Sequence, residues 1–471
     1  MLFNSLEYIA FLASITLAYF VIRPHWRIPL LLAASFFFYM QWDWRFVALI
    51  AFVSAVNFEA GRRIAASEAA LERRFWLIGA ITLSLGLLAF FKYVNFFADS
   101  VGALISAAGL PYLLPHLDLI LPVGISFFTF QALSYTIDVY RGAPVLETNP
   151  ARFALYVAFF PQLVAGPIER ATTLLGQFRQ THRFEVTRLA EGGRLILWGL
   201  FKKVVIADRL AIYVNDVYAH PELHDGPTLL LATYFFAIQI YCDFSAYSDI
   251  AIGSARILGF NLMQNFNLPY LARSITEFWQ RWHISLTRWF HAYVYVPLGG
   301  NRVPAFVWLC NVTAVFLLSG LWHGAQWTFV IWGALHAGYY LVERVVRAVL
   351  PARQTALRQA LGMIVTFHAV VLAWVFFRAA SLDDALLIIG RILTDQGGWP
   401  DWGVSRFSAM LNLGLIALLA AIQVLQARGT FSLYLSPSQV GELPRIAGYS
   451  LLLCGIALLG ASPAQFLYFQ F

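Results

Sequence analysis

The sequence predicts an all-α polytopic integral membrane protein, and three observations carry that prediction. Apolar runs recur along all 471 residues with only short breaks, 60% of the residues are hydrophobic, and only 12% are charged. The mean hydropathy is +0.68. Soluble domains carry about 25% charged residues, so a water-facing fold does not fit. The runs fall at 6–22, 28–40, 46–58, 76–97, 118–137, 152–168, 195–214, 228–252, 303–322, 325–342, 359–377, 407–426 and 446–462. A perpendicular span needs about 20 residues. Runs 28–40 and 46–58 are therefore expected to be tilted, partly buried or re-entrant. With no long polar interval, one membrane domain is expected over 1–471.

Taken in order, the first run lacks a basic start and a small-residue cleavage site, so it reads as a first membrane helix and not a cleaved signal. Arginines cluster at Arg62, Arg63, Arg73 and Arg74, again at Arg170, Arg179, Arg183, Arg188 and Arg194, and again at Arg344, Arg347, Arg353 and Arg358. Lys/Arg bias sets orientation, so these three loops are expected in the cytoplasm. Segment 380–405, with Asp383, Asp384, Asp395 and Asp401 against one Arg391, is expected outside. The formal charge of +7 suits cytoplasmic loops against anionic lipid, and no nucleic-acid-binding pattern is present. The bilayer is the expected partner surface. Cys242, Cys310 and Cys454 lie far apart in apolar runs. They read as small core residues, and no metal is expected from them.

Several stretches break the apolar pattern. Phe159 to Arg170 reads FFPQLVAGPIER. Its two prolines, Pro161 and Pro167, and Gly166 predict a broken helix, tolerated at membrane depth only where it is buried in protein or lines a cavity. Lys202 and Lys203 fit either a donor's phosphates or the cytoplasmic interface, and the interface is the simpler reading. Tyr241 to Gly253 reads YCDFSAYSDIAIG. Buried Asp243 and Asp249 must be paired or neutralised. They serve either a reaction site or structural pairing with arginines such as Arg256 and Arg273. From Arg273 to Arg288 the chain mixes arginines and Glu277 with Trp279, Trp282 and Trp289, and carries His283. That is too polar for a lipid-facing span and too aromatic for a solvent loop, so an amphipathic or re-entrant segment beside a polar cavity is expected.

His323 sits between the runs 303–322 and 325–342, flanked by Trp322 and Gly324, with Trp327 a turn further on. An ionisable residue there is a functional candidate by default, although a histidine satisfied by a helix–helix hydrogen bond would look the same. Imidazole has an unperturbed pKa near 6.5, so it can act as a base at physiological pH. It could take the proton of an alcohol attacking an acyl thioester, help worth about 10²–10⁴-fold. His336 lies 13 residues on, about 220° around an ideal continuous helix, so the two histidines are not expected to face each other. No GxSxG elbow, HExxH or Cys/His cluster is present. No internal repeat is visible either, which weighs against an inverted-repeat transporter.

The Trp322-His323-Gly324 core, LPVGISFFTFQALSYTIDVYR, FFPQLVAGPIER, YCDFSAYSDIAIG, NFNLPY and FWQRWHISL…YVPLGGNR together resemble the membrane-bound O-acyltransferases. They are most similar to the bacterial branch that includes proteins of alginate O-acetylation and of teichoic acid D-alanylation. The likeness runs over roughly 1–378, with motifs in 121–342 and less distinctive helices in 359–462. It implies a ring of about 11–13 membrane helices with re-entrant segments around a central tunnel. It also implies catalytic roles for His323 and His283. Trp322, Gly324, Trp327, Trp282, Asp243, Asp249 and Pro167 become candidates to line the tunnel or bind substrate. No bound cofactor is implied; acetyl-CoA or another acyl thioester would be a co-substrate. The partners implied are an extracytoplasmic polysaccharide or periplasmic acetyltransferase-like proteins, and the location is the inner membrane. A carrier-protein donor with teichoic acid as acceptor, or a transporter or scaffold without chemistry, are the alternatives. One departure is His291-Ala292, where relatives typically read Arg-Asp.

Overall fold

Among the described residues helix is the only regular secondary structure, as suits a sequence destined for lipid: backbone polar groups in a bilayer have to be satisfied within the chain. The structure, a computed structural model, describes all residues except 112–114, 350–354, 396, 404, 430–441, 463–464 and 468–471. The chain divides into two units: one of residues 1–185, 254–263 and 324–326, the other of 186–253, 264–323 and 327–471.

The first unit holds α1 (Leu6–Val21), α2 (Arg27–Met40), α3 (Val47–Ala66), α4 (Ala70–Ala107), α5 (Ile125–Tyr140), α6 (Pro150–Ala158) and α7 (Ala171–Phe178). Ser5 caps α1, its side chain accepting from the Tyr8 N–H at 3.2 Å. Run 46–58 becomes a longer helix than its apolar length suggests. Glu59 pairs with Arg62 and Arg63 at i,i+3 and i,i+4, carrying α3 past the apolar end. Buried Asn57 joins three helices: its amide donates to Ser84 Oγ at 2.9 Å, and its Oδ1 accepts from Thr136 at 2.7 Å. After α6 the chain leaves helical geometry at Phe159 and re-enters it at Ala171. That buried stretch, Pro167 included, is held by the hydroxyl of Tyr156, which donates to the Glu169 carbonyl at 2.9 Å.

The second unit starts with α8 (Val186–Leu200), a π-helical turn over Phe201–Ala207, α9 (Asp208–Ala219) and α10 (Gly226–Ile257), whose last four residues group with the first unit. Two short helices follow, α11 (Ile275–Arg281) and α12 (Ile284–Phe290), then a second π turn over His291–Tyr295. The rest is α13 (Ala305–His323), α14 (Trp327–Val349), α15 (Ala356–Arg378), α16 (Leu382–Thr394), α17 (Arg406–Ala427) and α18 (Glu442–Leu459). Among the described residues six helical segments are long and apolar enough to cross a membrane: Trp44–Ala66, Ala70–Ala107, Gly226–Ile257, Ala305–His323, Ala356–Arg378 and Phe407–Ala427. Apolar runs outnumber these spans because proline and glycine stop run 152–168 after nine helical residues, and the π turn interrupts run 195–214. Of the cysteines only Cys242 is buried; Cys310 and Cys454 are exposed. Outer positions of a membrane helix face lipid and are apolar too, so an apolar run does not mark a core position.

α13 and α14 form a close antiparallel hairpin. A Cβ on Gly320 would lie 2.2 Å from the Phe329 carbonyl oxygen, and one on Gly333 would lie 2.4 Å from that of Phe316. Only glycine allows backbones this near, the usual device for packing membrane helices.

Candidate functional site

Three buried histidines of the second unit come together, and each is placed by a different local rule. His323 is the last residue of α13, 4% exposed, delivered by the glycine-packed hairpin. His283 lies between α11 and α12 and is fully buried. Its φ of +43° makes it one of two non-glycine residues in the left-handed region among the described residues. Such conformations persist where the surroundings over-determine them, often at functional sites. Here the surroundings are Asn265, itself 1% exposed. Its carbonyl accepts from Ile284 N–H at 3.0 Å, and its side-chain oxygen accepts from Ser285 N–H at 3.1 Å and Ser285 Oγ at 3.0 Å. These bonds satisfy first-turn donors of α12 that a histidine at the cap leaves open.

The other end of this segment is anchored as firmly. Ser274 caps α11 by accepting from the Glu277 N–H at 3.1 Å. Glu343 of α14 accepts from Thr276 N–H at 3.1 Å and Thr276 Oγ1 at 2.7 Å. A carboxylate at a helix N-terminus is favourably placed.

The rings form a continuous aromatic cluster. The His323 ring centroid lies 5.0 Å from Trp322, 5.1 Å from Trp332, 5.3 Å from Phe377 and 6.3 Å from His283. His283 packs on Phe244 at 4.7 Å and Trp322 at 5.7 Å. Trp282 packs on Trp374 with the rings tilted, centroids 5.0 Å apart. His336 completes the group, 4.8 Å from Trp332 and 4.9 Å from Trp279. Its membership corrects the helical-wheel expectation. The helix is not continuous: α13 stops at His323 and α14 starts at Trp327. The turn between them reverses the chain and brings His336 back beside the residues around His323. His336 and Asn265 are the site residues that sequence reasoning missed. Asn265 stands within the NFNLPY motif, but its partners are 19 and 20 residues away.

A cavity of about 310 Å³ lies alongside α13. Its wall includes Trp279, His291, Asn301, Phe316, Ser319 and Tyr340. Ser319 is one turn before His323 on the same helix. His291, the departure from the family pattern, opens the second π turn and faces this cavity.

The remaining candidates divide. Trp322 and Trp282 belong to the cluster. Gly324 is buried in the turn after His323, whereas Trp327 is 55% exposed at the first position of α14. Asp243 and Asp249 are buried on α10 and paired, but with lysines and not with arginines. Lys203 Nζ lies 2.6 Å from Asp243 and 2.8 Å from Asp208, and Lys202 Nζ lies 2.9 Å from Asp249. Leu467 N–H donates to the second Asp243 oxygen at 2.8 Å, and the Phe466 ring covers the Lys203 ammonium at 4.3 Å. Lys202 and Lys203 are thus interior residues, 3% and 1% exposed, and not interfacial ones. The π turn directs both inward. Among the described residues no group of three or more His, Cys, Asp or Glu side chains is arranged to hold a metal ion.

An all-helical membrane protein with two adjacent buried histidines in an aromatic chamber, one of them ending a helix at a Trp-His-Gly sequence, has the features of an intramembrane acyl-transfer enzyme. A model of the MBOAT, membrane-bound O-acyltransferase family matches residues 128–382, and the chain belongs to that family. It is 39% identical over 443 residues to "Probable alginate O-acetylase AlgI" of Azotobacter vinelandii, covering 93% of this chain and 86% of that one. It is 35% identical to "Peptidoglycan O-acetyltransferase" of Helicobacter pylori over 421 residues, 83% of this chain and 79% of the relative. Similarity to "Teichoic acid D-alanyltransferase" of Bacillus subtilis is 28% over 283 residues, 57% of this chain and 71% of the relative.

Proposed function

We propose that this protein moves an acetyl group from a cytoplasmic acyl thioester such as acetyl-CoA to hydroxyls of an extracytoplasmic polysaccharide, alginate-like in class, in the inner membrane, with His323 as general base. The observation that carries the reading is the buried pair His283–His323 at 6.3 Å in a chain of this family. In the step, the His323 imidazole takes the proton of the acceptor hydroxyl as its oxygen attacks the thioester carbonyl. The tetrahedral intermediate collapses, the C–S bond breaks, and the imidazolium returns the proton to the leaving thiolate. Ester and free thiol result. His283, held rigid by Asn265, supports the chamber opposite His323. D-Alanyl transfer is less favoured, because the relatives so named match a smaller share of the chain at lower identity.

The orientation from the arginines supports the donor's path. α13 starts at the end where Arg344 and Arg347 of α14 lie, since the Arg344 guanidinium sits 5.7 Å over Trp308. From Ala305 to His323 the helix rises about 27 Å, nearly the roughly 30 Å of a hydrocarbon core. His323 also touches Phe377, the penultimate residue of α15. The reaction centre would then lie towards the outer face, and the cavity beside α13 would carry the thioester most of the way.

The test is acetyl ester content of the polysaccharide in cells that depend on this chain. His323→Ala and His323→Gln should abolish it while the protein accumulates normally, and His283→Ala should reduce it. Wild-type ester content with a well-expressed His323→Ala protein would overturn the assignment.

A further inference from the structure

His336 is fully buried, yet among the described residues neither of its ring nitrogens has a hydrogen-bond partner. The indole N–H groups of Trp279 and Trp332 are likewise buried without one. Buried polar groups are nearly always satisfied, and each exception needs a reason. These three exceptions are not scattered. Trp279, Trp332 and His336 are mutually packed, with centroids 5.7, 4.9 and 4.8 Å apart. Trp279 is also a wall of the cavity beside α13, and Trp332 packs on His323. Unmet hydrogen-bonding capacity therefore runs, ring against ring, from the cavity wall at Trp279 to Trp332 beside His323.

The chemistry of the set is specific. Two indoles can only donate, and a neutral imidazole donates at one nitrogen and accepts at the other. A secondary amide, with one carbonyl oxygen and one N–H, is complementary to that combination. We propose that Trp279, Trp332 and His336 form a subsite for an amide group of the acyl donor's arm, with His336 as a positioning residue that fixes the thioester against His323. The proposal rests on the donor reading above. It explains why a histidine stands where phenylalanine would pack without a polar cost. Its polar partner arrives only with the donor, and that binding energy is used to orient the reacting carbonyl.

The experiment uses the full-length protein in inverted membrane vesicles, which expose the cytoplasmic face. Thiol release is followed from acetyl-CoA and from S-acetyl-butanethiol, a thioester without amides. His336→Phe keeps an aromatic ring of similar size and removes the polar atoms. It should lower kcat/KM for acetyl-CoA about tenfold or more, lower that for the amide-free thioester by no more than about twofold, and melt no lower than wild type. His336→Gln, which can both donate and accept, should recover part of the acetyl-CoA loss. Equal losses with both thioesters, or no loss with either, would overturn the subsite while leaving His323's role intact. A melting temperature several degrees below wild type for His336→Phe would show a structural role and also overturn it. Wild-type vesicles that cannot use acetyl-CoA would overturn the donor reading and the subsite together.

Discussion

The α13–α14 hairpin gives the sharpest test of how packing sets the chemistry. Gly320→Ala adds one methyl group that would sit 2.2 Å from the Phe329 carbonyl oxygen and 3.1 Å from its carbon. Carbon and oxygen normally approach to about 3.3 Å, so the helices must part by roughly 1 Å. Neither side is a flexible side chain that could swing away. Overpacking of this kind costs about 1–3 kcal/mol. His323 lies three residues further along, about 4.5 Å up the axis, and it packs on Trp332 of the helix being displaced. A 1 Å displacement of a reacting group can cost about 10²-fold in rate. Gly320→Ala should therefore fold, melt somewhat lower, and lose most acetylation. Gly333→Ala should behave alike, since its Cβ would meet the Phe316 oxygen at 2.4 Å. The control is Gly338→Ala, on the same α14, where an added Cβ meets nothing within 4 Å. It should keep full activity and gain up to about 1 kcal/mol in helix propensity. The assays are acetyl ester content and melting in detergent by fluorescence-detected gel filtration. If Gly320→Ala matches Gly338→Ala in both, the hairpin does not position His323 and the reasoning fails.

The buried ionic cluster and the topology give two further tests. Lys203→Met leaves Asp208 and Asp243 buried without their shared cation, a loss of about 3–5 kcal/mol. The protein should accumulate poorly or melt many degrees lower, and a melting temperature within 2 °C or so of wild type would contradict the cluster's structural role. For topology, cysteines placed at Arg344 and Asp384 in a background lacking Cys242, Cys310 and Cys454 should divide. An impermeant thiol reagent should label position 384 in intact cells and position 344 only after disruption; the reverse pattern would overturn the orientation.

What the sequence made legible follows from what is local. Apolar length marked the helices, and Pro161, Gly166 and Pro167 marked the chain's departure from helix after Ala158. An ionisable residue among apolar ones marked His323. What it hid depends on distance or on a break. Lys203 and Asp243 are 40 residues apart, and nothing short of the packed π turn shows that they meet. His336 was set aside because the wheel assumed a continuous helix, and three residues of turn undo that assumption. Trp327, one turn from His323 in the sequence, opens α14 and is half exposed. The left-handed His283 has no signal in its own residue type; its support comes from Asn265.

These positions share a physical logic. His323 ends α13, His283 stands at the N-terminal cap of α12, and Phe377 is one residue from the end of α15. A histidine in mid-helix would point from a rigid cylinder at a fixed angle, with the backbone beside it sealed by hydrogen bonds. At a helix end the chain can turn, so rings from several elements can converge on one point. The same ends expose unsatisfied backbone groups, which lipid cannot serve. With the chemistry proposed for His323 and His283, a centre made of helix ends must therefore be enclosed by protein. Asn265 at the start of α12 and Glu343 at the start of α11 are part of that enclosure, each satisfying donors that the bends release. On this argument the polar support from Asn265 is the condition for placing His283 at the cap of α12. Loss of Asn265 should then disturb His283 as much as a change to the histidine itself.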